Sequence, residues 1–148
     1  MDFAKEQIAK KGYTISNYDA PGQTFQIYTE SNGVDVDALW EGISYLKYAL
    51  SNGIPVIVGV DDKLGHPGNI DNTTDHFIVL VGMGSDTNGN YFQFYDNADS
   101  EIAKGTSDLN KLYYNSNTGI ISGVSQTDYA QNGGLTYIIT MIRKSKPL

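Results

Sequence analysis

Apolar positions recur at helical spacing in two stretches of the chain. In "MDFAKEQIAKKGY", Met1, Ala4 and Ile8 share one face and Gly12 is a natural stop, which predicts a short N-terminal helix. That helix starts abruptly at Met1, so a helix cut short at its beginning is expected. In "VDVDALWEGISYLKYALSNGIP", Val36, Leu39, Trp40, Ile43, Leu46 and Leu50 form one stripe, which predicts a second, longer helix with Trp40 in the core. Asp35 and Asp37 suit its positive end, and Gly53 with Pro55 ends it.

Between the helices, residues 13–34 read as irregular, with a short strand over 24–28. After the second helix the pattern changes to short, β-branched apolar runs. "IPVIVGV" (54–60) predicts a buried strand. "HFIVLVGMG" and "NYFQFYDNA" predict two more, joined through Asn88-Gly89, a strong hairpin signal. Further strands are expected at 111–115, 119–123 and 135–143. Helices followed by an antiparallel sheet make an α+β domain, and 148 residues suit one domain.

The hairpin matters for chemistry. It brings the start of its first strand beside the end of its second, so His76 should lie at the same end of the ladder as Asp96 and Asn97. The loop sets the register, and either Asp96 or Asn97 could face the ring. An imidazole whose one nitrogen is held by a carboxylate or amide can act as a base through the other. Against this stands the commoner role of a lone histidine, a strand-end residue bonded locally.

Composition narrows the field. Net charge is −7, which speaks against a nucleic-acid partner, because phosphate contacts need a basic face. The one basic cluster, Arg143-Lys144-Ser145-Lys146, reads as a solvated tail. Eleven tyrosines favour half-buried sheet surfaces. No run approaches the ~18 apolar residues of a membrane-spanning helix, and residues 1–15 carry no signal-peptide pattern. There is no cysteine, which excludes disulfides, thiolate metal sites and a cysteine nucleophile within these residues.

Other candidate chemistry is weaker. The loop 61–75 holds Asp61, Asp62, His66, Asp71 and Asp75, a set that could hold a hard cation. Ligand spacing does not recur there, so a solvated loop at the rim of the site is the expected reading. "DTNGN" lacks the glycine and the bidentate glutamate of a calcium loop, and "VGMG" lacks the rest of a dinucleotide fingerprint. No serine stands in a nucleophile elbow. No metal and no cofactor is expected.

The order "Gly-Ile-Pro-Val-Ile-Val-Gly-Val", then "Asp-His-Phe-Ile-Val-Leu-Val-Gly", then a strand ending "Tyr-Asp-Asn-Ala" resembles the second half of papain-like cysteine peptidases. It is most similar to the bacteriocin-processing (double-glycine) peptidases and their secreted bacterial relatives, over residues 46–98. The resemblance implies a papain-like fold over 1–148, with helices packed on an antiparallel sheet and a peptide cleft between them. It implies His76 as general base and Asp96 as its orienter, with Asn97 the alternative because amide orienters also occur in the superfamily. Export from the cell is common among such proteins.

Three departures stand out. Asp75 replaces a common glycine, Asn97-Ala98 replaces the proline that often follows the aspartate, and the nucleophilic cysteine is missing. Gln7 has no cysteine after it and is left unassigned. The resemblance would set a cysteine at Met1 or just before it. The chain is therefore expected to be a cysteine-peptidase-like domain acting on peptide or amide bonds, seen without its nucleophile. The rival expectation is a catalytically silent module that binds a peptide or partner protein.

Overall fold

The fold is described from a computed structural model that covers residues 1–65 and 69–148. The described elements run α1 (Asp2–Ala9), β1 (Tyr13–Ile15), β2 (Thr24–Gln26), β3 (Tyr28–Thr29), β4 (Gly33–Val34), α2 (Val36–Ser51), β5 (Val56–Asp61), β6 (His76–Asp86) and β7 (Gly89–Tyr95). Then come α3 (Ile102–Gly105), β8 (Lys111–Tyr114), β9 (Ile121–Val124), α4 (Asp128–Gly133), β10 (Tyr137–Arg143) and β11 (Ser145–Pro147).

The architecture corrects the expected papain-like α+β fold of helices packed on an antiparallel sheet. The chain is mostly β. Strands β10-β5-β6-β7-β8-β9 are hydrogen-bonded in that order, all antiparallel, and β9 returns to β10 through Tyr137↔Gly123 and Ile138↔Ser122. The sheet therefore closes into a six-stranded barrel. β10 makes the closure possible by changing partners along its length, with β9 at its start and β2 at its end, over Met141–Arg143. A sequence pattern shows which strands exist but not that the first and last of them meet, because closure is a long-range pairing.

The core follows the strand alternation. Val56, Val58 and Val60 on β5, Ile78 and Leu80 on β6, and Phe92 and Phe94 on β7 point into the barrel. α2 packs against the barrel. Leu39, Ile43, Leu46 and Ala49 join the same core, and the Asp35 side chain caps the helix by accepting from Ala38 N–H. α1 packs on the outer face, where Ala4 and Ile8 cover Ile57 and Val79.

Two expectations about single residues are corrected here. Trp40 is not core. It is 56% exposed, because the buried stripe of α2 runs through Leu39, Gly42, Ile43 and Leu46. The basic C-terminal cluster is not a solvated tail. Arg143 is buried and donates to the Ser16 carbonyl, and Ser145–Pro147 pairs with β1.

Candidate base site

The site grows out of the β6–β7 hairpin. Val79↔Tyr95 is its last rung, so one further step would set Asp96 opposite Ile78. His76 is two residues beyond Ile78 on the same strand, and side chains two apart share a face. Both groups thus turn toward the same mouth of the barrel. His76 is also held on its other side by β5, through Val60↔His76.

The contact is direct. His76 Nε2 lies 2.7 Å from Asp96 Oδ1, with the Asp96 side chain fully buried and the ring about one-fifth exposed. Three more donors converge on the carboxylate. Ser125 Oγ and Tyr137 Oη each donate to Oδ2 at 2.7 Å, and Ala98 N–H donates to Oδ1 at 3.0 Å. Burial pushes the Asp96 carboxyl up, but the bonds from His76, Ser125 and Tyr137 outweigh it and hold the acid below its usual range. An ionised carboxylate only accepts, so the ring proton belongs on Nε2. Burial and the neighbouring Asp96 charge keep the Tyr137 phenol protonated, as a permanent donor.

The backbone of Asp96 is fixed as firmly as its side chain. Asp96 N–H donates to the Gly105 carbonyl at 2.8 Å. A Cβ on Gly105 would stand 2.0 Å from the Asp96 carbonyl oxygen, so only glycine allows α3 to come this close. Asn110 braces the same turn, donating to the Lys104 and Gly105 carbonyls and accepting from Gln126 N–H.

The exposed side of the ring faces a pocket of about 320 Å³ lined by Met1, Asp75, His76, Asn97, Ala98 and Tyr129. With Nε2 engaged by Asp96, Nδ1 is the ring nitrogen left to serve this space. Asn97 is exposed and lines the pocket without bonding to the ring. The residue in contact with His76 is therefore Asp96. The N-terminal end of α1 enters the same pocket through Met1.

Further acidic groups cluster behind Asp75 and Tyr129, two of the lining residues. Asp75 Oδ2 accepts from the Asp62 and Lys63 N–H groups, and Tyr129 Oη donates to Asp62 at 2.9 Å. Burial and that contact with Asp62 push the Tyr129 phenol up to about 12. Asp61 is buried, and burial together with its bonds to Asp75 and Glu30 raises its carboxyl to about 8. Asp71 serves the loop instead, accepting from the Thr73 and Thr74 N–H groups and from Gln26. Among the described residues no group of three or more such side chains is arranged to hold a metal ion. His66, part of the loop set named from the sequence, lies outside the described residues.

Chemically, the arrangement is an imidazole with a fixed tautomer, a buried anion behind it and an open nitrogen in front. It can take a proton from a group in the pocket and stabilise the resulting imidazolium. The sequence reading missed Ser125, Tyr137 and Gly105, which make Asp96 what it is. Ser125 carries no local signal, and Tyr137 reaches Asp96 only because β9 and β10 close the barrel. No helix among the described residues is long and apolar enough to cross a membrane. No family model, curated protein or solved structure matches the chain.

Proposed function

We propose that His76 and Asp96 form the base half of a cysteine-peptidase-like centre acting on peptide or amide bonds, with the nucleophile not among these 148 residues. The observation that carries this reading is the pairing of a fully buried carboxylate with Nε2 at 2.7 Å in a histidine that itself lines an open pocket. The three extra donors keep Asp96 ionised although it is buried, and an ionised partner is what a base that must become cationic requires. Met1 lines the same pocket, so a thiol at the N-terminal end of α1 would stand before the base, where helix polarity also favours a thiolate.

The test is to install the thiol. A Met1→Cys chain, expressed behind a cleavable tag, should be alkylated by iodoacetamide at rates that persist well below the ordinary thiol range near 8.5. Adding His76→Ala should return the profile to that of an ordinary thiol. If the Met1→Cys thiol already behaves as an ordinary one, His76 is not a base for this pocket.

A second reading, a silent module that binds a peptide or partner protein, is favoured by one fact: the chain has no cysteine. On that reading the Met1→Cys thiol is activated or not without any turnover, whereas the first expects slow cleavage of a fluorogenic peptide library.

A further inference from the structure

A groove larger than the His76 pocket is found elsewhere on the molecule. It lies at the other end of β6, between α2 and the β6–β7 ribbon, with a volume of about 560 Å³. Trp40 and Lys47 from α2, Met83 and Ser85 from β6, Tyr91 from β7 and Tyr114 from β8 line it. Seven to nine residues of strand separate these β6 positions from His76, roughly 25 Å of rise.

Two observations meet there. First, β6 outruns its neighbour. The last rung with β5 is Val56↔Leu80, and from Gly82 to Asp86 β6 pairs only with β7. The opposite edge of this segment has no strand beside it among the described residues, and residues 83–86 are exposed. It carries neither lysine nor proline; a bulge between Leu80 and Gly82 opens it, and its one charge, Asp86 at the far end, is paired with Lys111. Second, a groove over the adjoining face of β6, β7 and β8, walled by α2, is apolar and aromatic, and Trp40, more than half exposed, forms part of that wall. Its one charged lining residue is Lys47, which makes no ion pair among the described residues.

We propose that the free edge of β6 over 81–86 and the adjoining groove dock an extended peptide from another protein, added as a strand. A row of unpaired backbone donors and acceptors is satisfied by another extended chain, and alternate side chains of that chain then reach one face. One bulky apolar side chain would rest on Trp40 and an acidic one would approach Lys47. A second copy is the poorer fit, since each chain brings a net charge of −7. This site is separate from the His76 pocket, and its fate does not depend on that proposal.

The probe is a library of blocked nine-residue peptides with threonine at alternate positions, one large apolar residue at the centre and one glutamate. Binding is read by titration calorimetry and by hydrogen exchange of the protein amides. The expected result is saturable binding that protects amides within 81–86, weakens at least tenfold in Trp40→Ala and Lys47→Glu, and is lost when the bound peptide is N-methylated at alternate backbone nitrogens. The N-methylated peptide keeps the test independent of whether the variants fold. No binding by any library member, or binding indifferent to N-methylation, overturns the proposal. So does concentration-dependent protection of 81–86 without peptide, with a dimer in sedimentation, which would assign the edge to self-pairing.

Discussion

Replacing Asp96 by asparagine keeps the shape of the side chain and removes its charge, so the cost can be worked out bond by bond. Oδ1 accepts from His76 and from Ala98 N–H, and Oδ2 accepts from Ser125 and Tyr137. The Ala98 N–H cannot turn, so the amide oxygen must stay at the Oδ1 position. The new NH2 then confronts two hydroxyls. Ser125 can redirect its proton to Thr127 Oγ1, 2.9 Å away. Tyr137 Oη has no second acceptor among its contacts and is left as a buried, unmatched donor. Such a group costs about 1–3 kcal/mol, and the remaining two bonds lose their charge assistance, while the desolvation cost of the carboxylate disappears.

The net expectation for Asp96→Asn is a loss of about 1–3 kcal/mol at pH 7, measured by urea denaturation. The sign with pH follows from the depressed acid. Its contribution is fully present above the unfolded value near 3.8 and is lost as pH falls through the lower folded value, so the gap between the two proteins should shrink toward pH 2. In a Tyr137→Phe background the orphaned donor is gone, and the cost of Asp96→Asn should fall by about 1 kcal/mol or more. An Asp96→Asn protein as stable as the parent at pH 7, or a cost unchanged by Tyr137→Phe, refutes this reasoning.

Gly105→Ala should destabilise by about 1–3 kcal/mol or more, since its Cβ would collide with the Asp96 carbonyl; thermal unfolding reads the loss, and the His76 ring signals should shift with it. Asp61→Asn removes an acid whose folded value is raised to about 8. A proton held in the folded state makes stability fall as pH rises from about 4 to 8, so the parent should lose melting temperature over that window and Asp61→Asn should lose less. Leu46→Ala empties a fully buried position where α2 meets the barrel and should cost about 2–5 kcal/mol in denaturant unfolding.

The elements were largely legible in the sequence, and the architecture was not. Local periodicity marks α2, β5, β6 and β7, because burial on one face leaves a trace in each segment. The juxtaposition of His76 with Asp96 follows from the same hairpin logic, and Asn97, beyond the end of β7, is exposed and makes no bond to the ring. The barrel left no such trace. Tyr137↔Gly123 joins strands whose patterns suit an open sheet equally well. Gly123 is the visible clue only afterwards, since a Cβ there would stand 2.0 Å from the Lys111 carbonyl oxygen. Trp40 misled for a related reason: it falls at helical spacing, but the barrel meets α2 one residue round the helix, at Leu39 and Ile43. Arg143 ends an apolar strand, and only the packing of β1 and β11 around it explains why a cation is buried there.

The reading of His76 as a base held by Asp96 rests on which ring nitrogen carries the proton. Long-range proton–nitrogen correlation spectra of the neutral ring, with His66 distinguished by substitution, measure this directly. Nε2 protonated and hydrogen-bonded, with Nδ1 bare toward the pocket and the pattern lost in Asp96→Asn, is the expected result. Nδ1 protonated, or a mixture of tautomers indifferent to Asp96, would contradict it.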